Sequence, residues 1–110
     1  MDQYHIDFAL QAKEHLEKIY NYIKNVLASP IAARRTVSLI KNEIILLKTS
    51  PIRVQLVSEE PWYSLGVRRS RVKNYYIYFM VDEVNKIVHV VAIIYARRDQ
   101  SRQLEELDLR

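Results

Sequence analysis

The chain contains no cysteine and only one glycine. The first absence excludes disulfides and thiolate metal ligands. The second leaves no material for a glycine-rich, phosphate-cradling loop. Histidine is scarce as well. His5, His15 and His89 stand far apart, with no His-Glu-x-x-His pattern and no other metal-ligand spacing. No metal and no cofactor is therefore expected. There is no Gly-x-Ser-x-Gly nucleophile elbow. Glu59 and Glu60 are neighbours in a segment read as extended, so their side chains point apart and make no carboxylate dyad. No apolar run approaches the roughly 20 residues needed to span a bilayer, so no membrane role is expected. The opening MDQYHIDF has an early carboxylate and no apolar signal core, which favours the cytoplasm.

What is present is enough for one folded unit. A chain of 110 residues fits a single domain, residues 1–110, and 49% hydrophobic content can fill a core. Seventeen basic residues against 13 acidic ones give a net charge of +4. The excess is local: Arg68, Arg69, Arg71 and Lys73 fall within six positions, and Arg97 and Arg98 join them if the strands pair in order. Such a patch attracts phosphates or an acidic protein segment. The plainer reading is a solvated strand edge that its charges keep from aggregating.

Periodicity divides the chain. Tyr4 to Phe8 alternates and reads as a short strand. From about Leu10 to Leu27 one helical stripe runs through Leu16, Ile19, Tyr20, Ile23, Val26 and Leu27. Ser29-Pro30 restarts the helix, with Ser29 as cap and Pro30 in the first turn, where no backbone donor is needed. The second helix is expected from about Pro30 to Lys48, with Ala33, Val37, Ile40, Ile44 and Leu47 on its main face. Leu39 and Leu46 widen that face and predict packing on more than one side. Thr49-Ser50-Pro51 stops the helix. The two helices are read as a hairpin lying on one face of a sheet.

Ile52 to Trp62 is the least legible part, a loop with an extended piece at Val54 to Val57. Trp62 and Tyr63 are read as anchoring that loop on the core. Strands are expected at Val67 to Lys73, Tyr75 to Val81 and Ile87 to Tyr95. Asp82 to Lys86 lacks glycine and predicts a longer hairpin loop. The last strand is apolar on both alternating faces apart from His89, so it should be covered on both sides. Leu104, Leu107 and Leu109 permit a short terminal helix capped by Asp99.

Three motifs, Gly66-Val67-Arg68, Asn74-Tyr75-Tyr76-Ile77-Tyr78-Phe79 with Val81-Asp82, and Tyr95-Ala96-Arg97-Arg98-Asp99, occur in the order and spacing of RelE/ParE toxins. Ile19-Tyr20-Asn21-Tyr22-Ile23 and Ala32-Ala33 extend the match over nearly the whole chain. The chain thus resembles the toxin of a type II toxin–antitoxin module. The resemblance implies an α+β fold of order β-α-α-β-β-β, with a two-helix hairpin on a mostly antiparallel four-stranded sheet. It also implies a cognate antitoxin with an acidic, partly disordered segment that covers the basic groove in a hetero-oligomer.

Two activities occur in that family. Ribosome-dependent mRNA endonucleases need a group to take the 2′-hydroxyl proton, cations for the charged phosphorus, and a donor for the leaving oxygen. By resemblance, Arg69, Arg71, Tyr76, Tyr95 and Arg97 are the candidate catalytic residues. Arg68, Lys73 and Arg98 are the candidates for nucleic-acid or antitoxin binding. Strand parity puts Arg69, Arg71 and Lys73 on one face and Arg68, Ser70 and Val72 on the other. ParE-type relatives instead inhibit DNA gyrase without cleaving RNA. Two positions depart from the pattern: Tyr76 stands where cleaving members often have arginine, and Tyr95 where ParE-like members often have histidine. The density of phosphate-binding arginines favours the nuclease slightly. A member that only partners its antitoxin is a third reading. The tyrosines on the strands also have a plain explanation, since aromatic residues pack well there.

Overall fold

The computed structural model describes residues 3–107 and 109. It is an α+β fold with the expected order. Strand β1 (His5–Phe8) leads into helix α1 (Leu10–Asn21), which continues through a π-helical turn at Tyr22–Val26. In that turn the Leu27 N–H reaches the Tyr22 carbonyl at 3.1 Å. Ala28 then takes a left-handed conformation, φ 52°, and reverses the chain. Ser29 caps helix α2 (Pro30–Leu46) by accepting from the Ala32 N–H at 3.3 Å, with Pro30 in the first turn.

After α2, a 3₁₀ turn (Pro51–Arg53) and a bridge from Leu56 to Arg68 bring the illegible segment beside the edge of the sheet. One helical turn, α3 (Trp62–Leu65), follows. It ends at Gly66, whose φ of 81° lies where a side chain is strained. Strands β2 (Arg68–Val72), β3 (Tyr75–Asp82) and β4 (Ile87–Tyr95) form an antiparallel meander. Helix α4 (Gln100–Glu105) closes the fold, with Asp99 accepting from the Arg102 N–H at 3.2 Å.

The sheet order is β1-β4-β3-β2, and β1 runs parallel to β4. Central β4 is therefore buried on both faces. One face packs under α1 and α2, where Ala12, Ile40, Ile44, Leu47, Ile77, Phe79, Val88, Val90 and Ile93 form the main core. The other face carries a second cluster, including Trp62, Val67, Tyr78, Val91, Ala92, Ile94 and Leu104. A register shift at Tyr78/Phe79 places both Val91 and Ala92 on this second face.

Three expectations need correction. Leu46 does not widen the packed face of α2: it is 55% exposed, as is Ile45, whereas Leu39 is half-buried. Trp62 is buried, but Tyr63 is 52% exposed and lies outside the core. Glu60 is not in an extended segment: it precedes α3 and accepts from the Ser64 N–H and hydroxyl, which hold its carboxyl below the usual range. The longer hairpin loop is as expected. Asp82 pairs with Ile87 across it, and the Asp82 carboxylate accepts from the Asn85 backbone at 3.0 Å.

Candidate functional site

The basic strand divides its side chains as alternation requires. Arg68, Ser70 and Val72 face the helices. Arg68 donates to the carbonyls of Ile52 and Val54, and so ties the segment before α3 to β2. Ser70 donates to Glu43 of α2 at 2.9 Å, and Val72 packs on the main core. On the open face, Arg69 pairs with Tyr78 and Arg71 with Tyr76 across β2 and β3. The Arg69 guanidinium carbon lies 4.2 Å from the centre of the Tyr76 ring, and that of Arg71 lies 5.5 Å from it. These are cation–π distances. Arg71 Nε also donates to the Lys73 carbonyl at 2.8 Å, which fixes its approach to the ring.

Tyr78 lies beneath this layer. Its hydroxyl donates to Gln100 Oε1 at 2.8 Å, and Gln100 Nε2 donates to the carbonyls of Tyr95 and Arg98, each at 2.8 Å. Gln100 thus fastens α4 to both β3 and the end of β4. Burial pushes the Tyr78 phenol above its usual range, with the nearby Arg69 pulling the other way. Such a phenol keeps its proton near neutral pH and serves as a hydrogen-bond donor, not as a base.

The candidate residues do not converge on one point. Tyr95 is opposite Tyr75 on the helix side of the sheet, with ring centres 5.7 Å apart. The Tyr75 phenol is raised by burial and then by its neighbours Tyr95 and Tyr22. Arg97 and Arg98 are exposed in the turn beyond β4. That turn is held by the Ala96 N–H donating to the Asn74 carbonyl at 2.7 Å, so it lies beside the β2–β3 turn that carries exposed Lys73. The structure therefore brings Arg69, Arg71 and Tyr76 together on the open face. Tyr95 is on the other face, and Lys73, Arg97 and Arg98 lie at the end of the sheet.

The histidines stay apart from all of these. His89 pairs with Asp7 at 3.0 Å on the β1 side of the open face. The His15 ring accepts from the Ile93 N–H at 3.2 Å between α1 and β4, and burial lowers its pKa. Among the described residues no group of three or more potential ligands could hold a metal ion. No described helix is long and apolar enough to cross a membrane. Gln100 and Tyr22 were not singled out from the sequence as site residues. A lone glutamine carries no chemical signature, and Tyr22 reads there as part of a helix motif.

A helical hairpin on one face of a mixed four-stranded sheet is also the fold of solved chains from toxin–antitoxin pairs. The chain belongs to the ParE toxin family, since the family described as the ParE toxin of the type II toxin-antitoxin system parDE matches residues 6–100. Among solved structures, a chain of the chromosomal ParDE system from P. aeruginosa superposes with a TM-score of 0.72 at 21% identity, covering 86% of this chain and 98% of that one. A chain of the RelBE2 complex from Mycobacterium tuberculosis gives 0.65 at 18% identity, covering 86% and 93%. A free E. coli RelE mutant gives 0.62 at 14% identity, covering 92% of each. At these identities the likeness shows the fold. No curated protein matches the chain.

Proposed function

We propose that this toxin arrests growth by binding a protein target in the cytoplasm, of the DNA gyrase type that ParE-like relatives inhibit, and that it cleaves no RNA. The observation that carries this reading is the dispersal of the candidate catalytic set. Arg69, Arg71 and Tyr76 share the open face, Tyr95 lies on the opposite face, and Arg97 sits in the turn beyond β4. Cleavage needs an acid and a base aligned on one phosphate. The open-face cluster offers guanidiniums, which stay protonated, and the buried Tyr78 phenol, which keeps its proton. A cognate antitoxin with an acidic, partly disordered segment suits the same arginines, and the pair forms a hetero-oligomer.

One observation favours the second reading. Arg69 and Arg71 around the Tyr76 ring make a platform suited to a base and its phosphate, as a ribosome-dependent mRNA endonuclease needs. Induced expression in a susceptible bacterium separates the two, with mRNA ends mapped and DNA breaks assayed in parallel. Intact mRNA with double-strand DNA breaks, and loss of supercoiling by purified gyrase, is the expected result. New mRNA ends with an early stop in translation overturn it and make Arg69, Arg71 and Tyr76 an RNA site.

A further inference from the structure

Gln100 stands between the two groups of cations that the sheet holds apart. It is half-buried at the first position of α4, and both the oxygen and the NH2 group of its amide are engaged. Oε1 accepts from the Tyr78 hydroxyl, and Nε2 donates to the Tyr95 and Arg98 carbonyls, each at 2.8 Å. The sense of the amide is forced. A carbonyl can only accept, so the NH2 group must face the two carbonyls, and the oxygen is left for the phenol. Tyr78 keeps its proton near neutral pH and can supply that bond.

The two carbonyls are the ends of one tight turn. The Arg98 N–H donates to the Tyr95 carbonyl at 3.0 Å, so Tyr95 to Arg98 closes on itself with Arg97 inside. Gln100 crosses that turn and pins both ends to Tyr78. From the other side, the Ala96 N–H donates to the Asn74 carbonyl at 2.7 Å. The backbone beneath Arg97 and Arg98 is thus fixed, while their side chains are exposed and, among the described residues, bond to nothing. Building α4 does not require this clamp. Asp99 already caps the helix, and Leu104 buries its inner side.

Tyr78 also belongs to the other cationic group. It is the cross-strand partner of Arg69, and its ring centre lies 6.2 Å from that of Tyr76, on which Arg69 stacks. A continuous chain of contacts therefore runs from Arg69 and Tyr76 through Tyr78 and Gln100 to the arginine turn. Tyr75, three residues before Tyr78, pairs with Tyr95, so the turn begins about 10 Å along β3 from the Arg69–Tyr78 pair. That span is too long for one phosphate. It matches acidic side chains about three or four residues apart on an extended segment.

We propose that Gln100 is a positioning residue: it holds Arg97 and Arg98 in register with the Arg69–Tyr76 face, so that both groups engage one extended acidic segment of the antitoxin. This rests on the reading of the chain as a toxin neutralised by such a segment. Gln100 touches no partner itself and acts through the turn. Exposed ion pairs contribute little when long side chains and their backbone must first be ordered. A turn pinned before binding removes part of that cost.

The test measures the affinity of the full chain for its cognate antitoxin in a cycle that combines Arg97→Ala with Gln100→Glu. The Gln100→Glu change keeps the shape and the acceptor for Tyr78 but removes both donors to the turn. Arg97→Ala should weaken binding by wild type about tenfold, and by the Gln100→Glu chain less than about twofold, because that turn is already out of register. A role confined to the stability of α4 would lower affinity but leave the factor for Arg97→Ala unchanged. If Gln100→Glu does not fold, Tyr78→Phe keeps the ring packed and removes only the anchor of Gln100, and the Arg97→Ala factor should shrink there as well. Thermal unfolding shows that each chain compared is folded at the temperature of measurement. The same factor in wild type and in the folded Gln100 or Tyr78 variant overturns the proposal. So does an Arg97→Ala change that costs nothing in wild type. A wild-type chain that neither binds an antitoxin nor arrests growth overturns the toxin reading beneath the proposal, a separate failure visible before any variant is compared.

Discussion

The two faces of the sheet are built from different materials. The helix face is aliphatic and closed by two long amphipathic helices, with Ile40, Leu47, Ile77, Phe79, Val88 and Val90 fully buried. The open face is aromatic and cationic. It is closed only in part, by the single turn of α3 with Trp62 and by the six-residue α4 with Leu104. Stability resides mainly in the first face, where burial is continuous. The second holds polar groups that need specific partners, such as Tyr78 with Gln100 and Arg71 with the Lys73 carbonyl. A small protein can keep a reactive surface on one side of a sheet when the other side alone secures the fold.

The contrast can be broken most sharply in the main core. Phe79 is fully buried there, and Phe79→Ala should cost about 3–5 kcal/mol, enough to unfold much of a marginal domain. Urea denaturation checks this, and a loss below about 1 kcal/mol contradicts the assignment of the helix face as the main core. On the other face, Tyr78→Phe removes only the hydroxyl that binds Gln100. It should cost about 1 kcal/mol. Amide exchange should quicken in α4 and stay unchanged in α1 and α2. Uniform exchange throughout the protein would mean that α4 is not separately secured.

Two smaller effects sharpen the comparison. Ala28 holds a left-handed φ of 52° at the hairpin tip, so Ala28→Gly should stabilise by up to about 1 kcal/mol. Thermal unfolding then shifts upward by roughly 4–8 °C per kcal/mol; no rise means that the turn relaxes without cost. The last effect is a pH dependence. Burial, and after it the charge of Lys18, lowers the His15 pKa from 6.5, while Glu14 opposes. The neutral ring accepts the Ile93 N–H. A depressed folded pKa means that the unfolded chain binds the proton first. The contribution is therefore complete above the unfolded value and is lost as pH falls below 6.5 toward the folded pKa. His15→Gln should flatten the fall in melting temperature over that range, and an unchanged slope would remove His15 as its source.

Much of the fold is legible in the chain because it rests on periodicity. The stripe through Leu16, Ile19 and Ile23, the Ser29-Pro30 restart, the Asp99 cap and the doubly apolar β4 each follow from local chemistry, and the structure has all of them. The segment after Pro51 was opaque because what orders it is remote. Arg68 reaches back 14 and 16 residues to its carbonyls, and Val57 bonds to Val67. The width of the α2 face misled for a similar reason. Leu46 is apolar, yet it stays 55% exposed.

For the candidate site, alternation alone separated Arg69 and Arg71 from Arg68. The sequence by itself thus determined the elements, their order, the family motifs and the sides of β2, since each depends on spacings of a few residues. Only the tertiary structure decided that Tyr95 lies across the sheet from Tyr76, that Gln100 ties α4 to Tyr78, and that His15 of α1 meets Ile93 of β4. The physical reason is register. A strand's alternation is local, but the irregularity in β3–β4 pairing beside Tyr78 and the crossing of α1 over β4 are set by packing between distant segments.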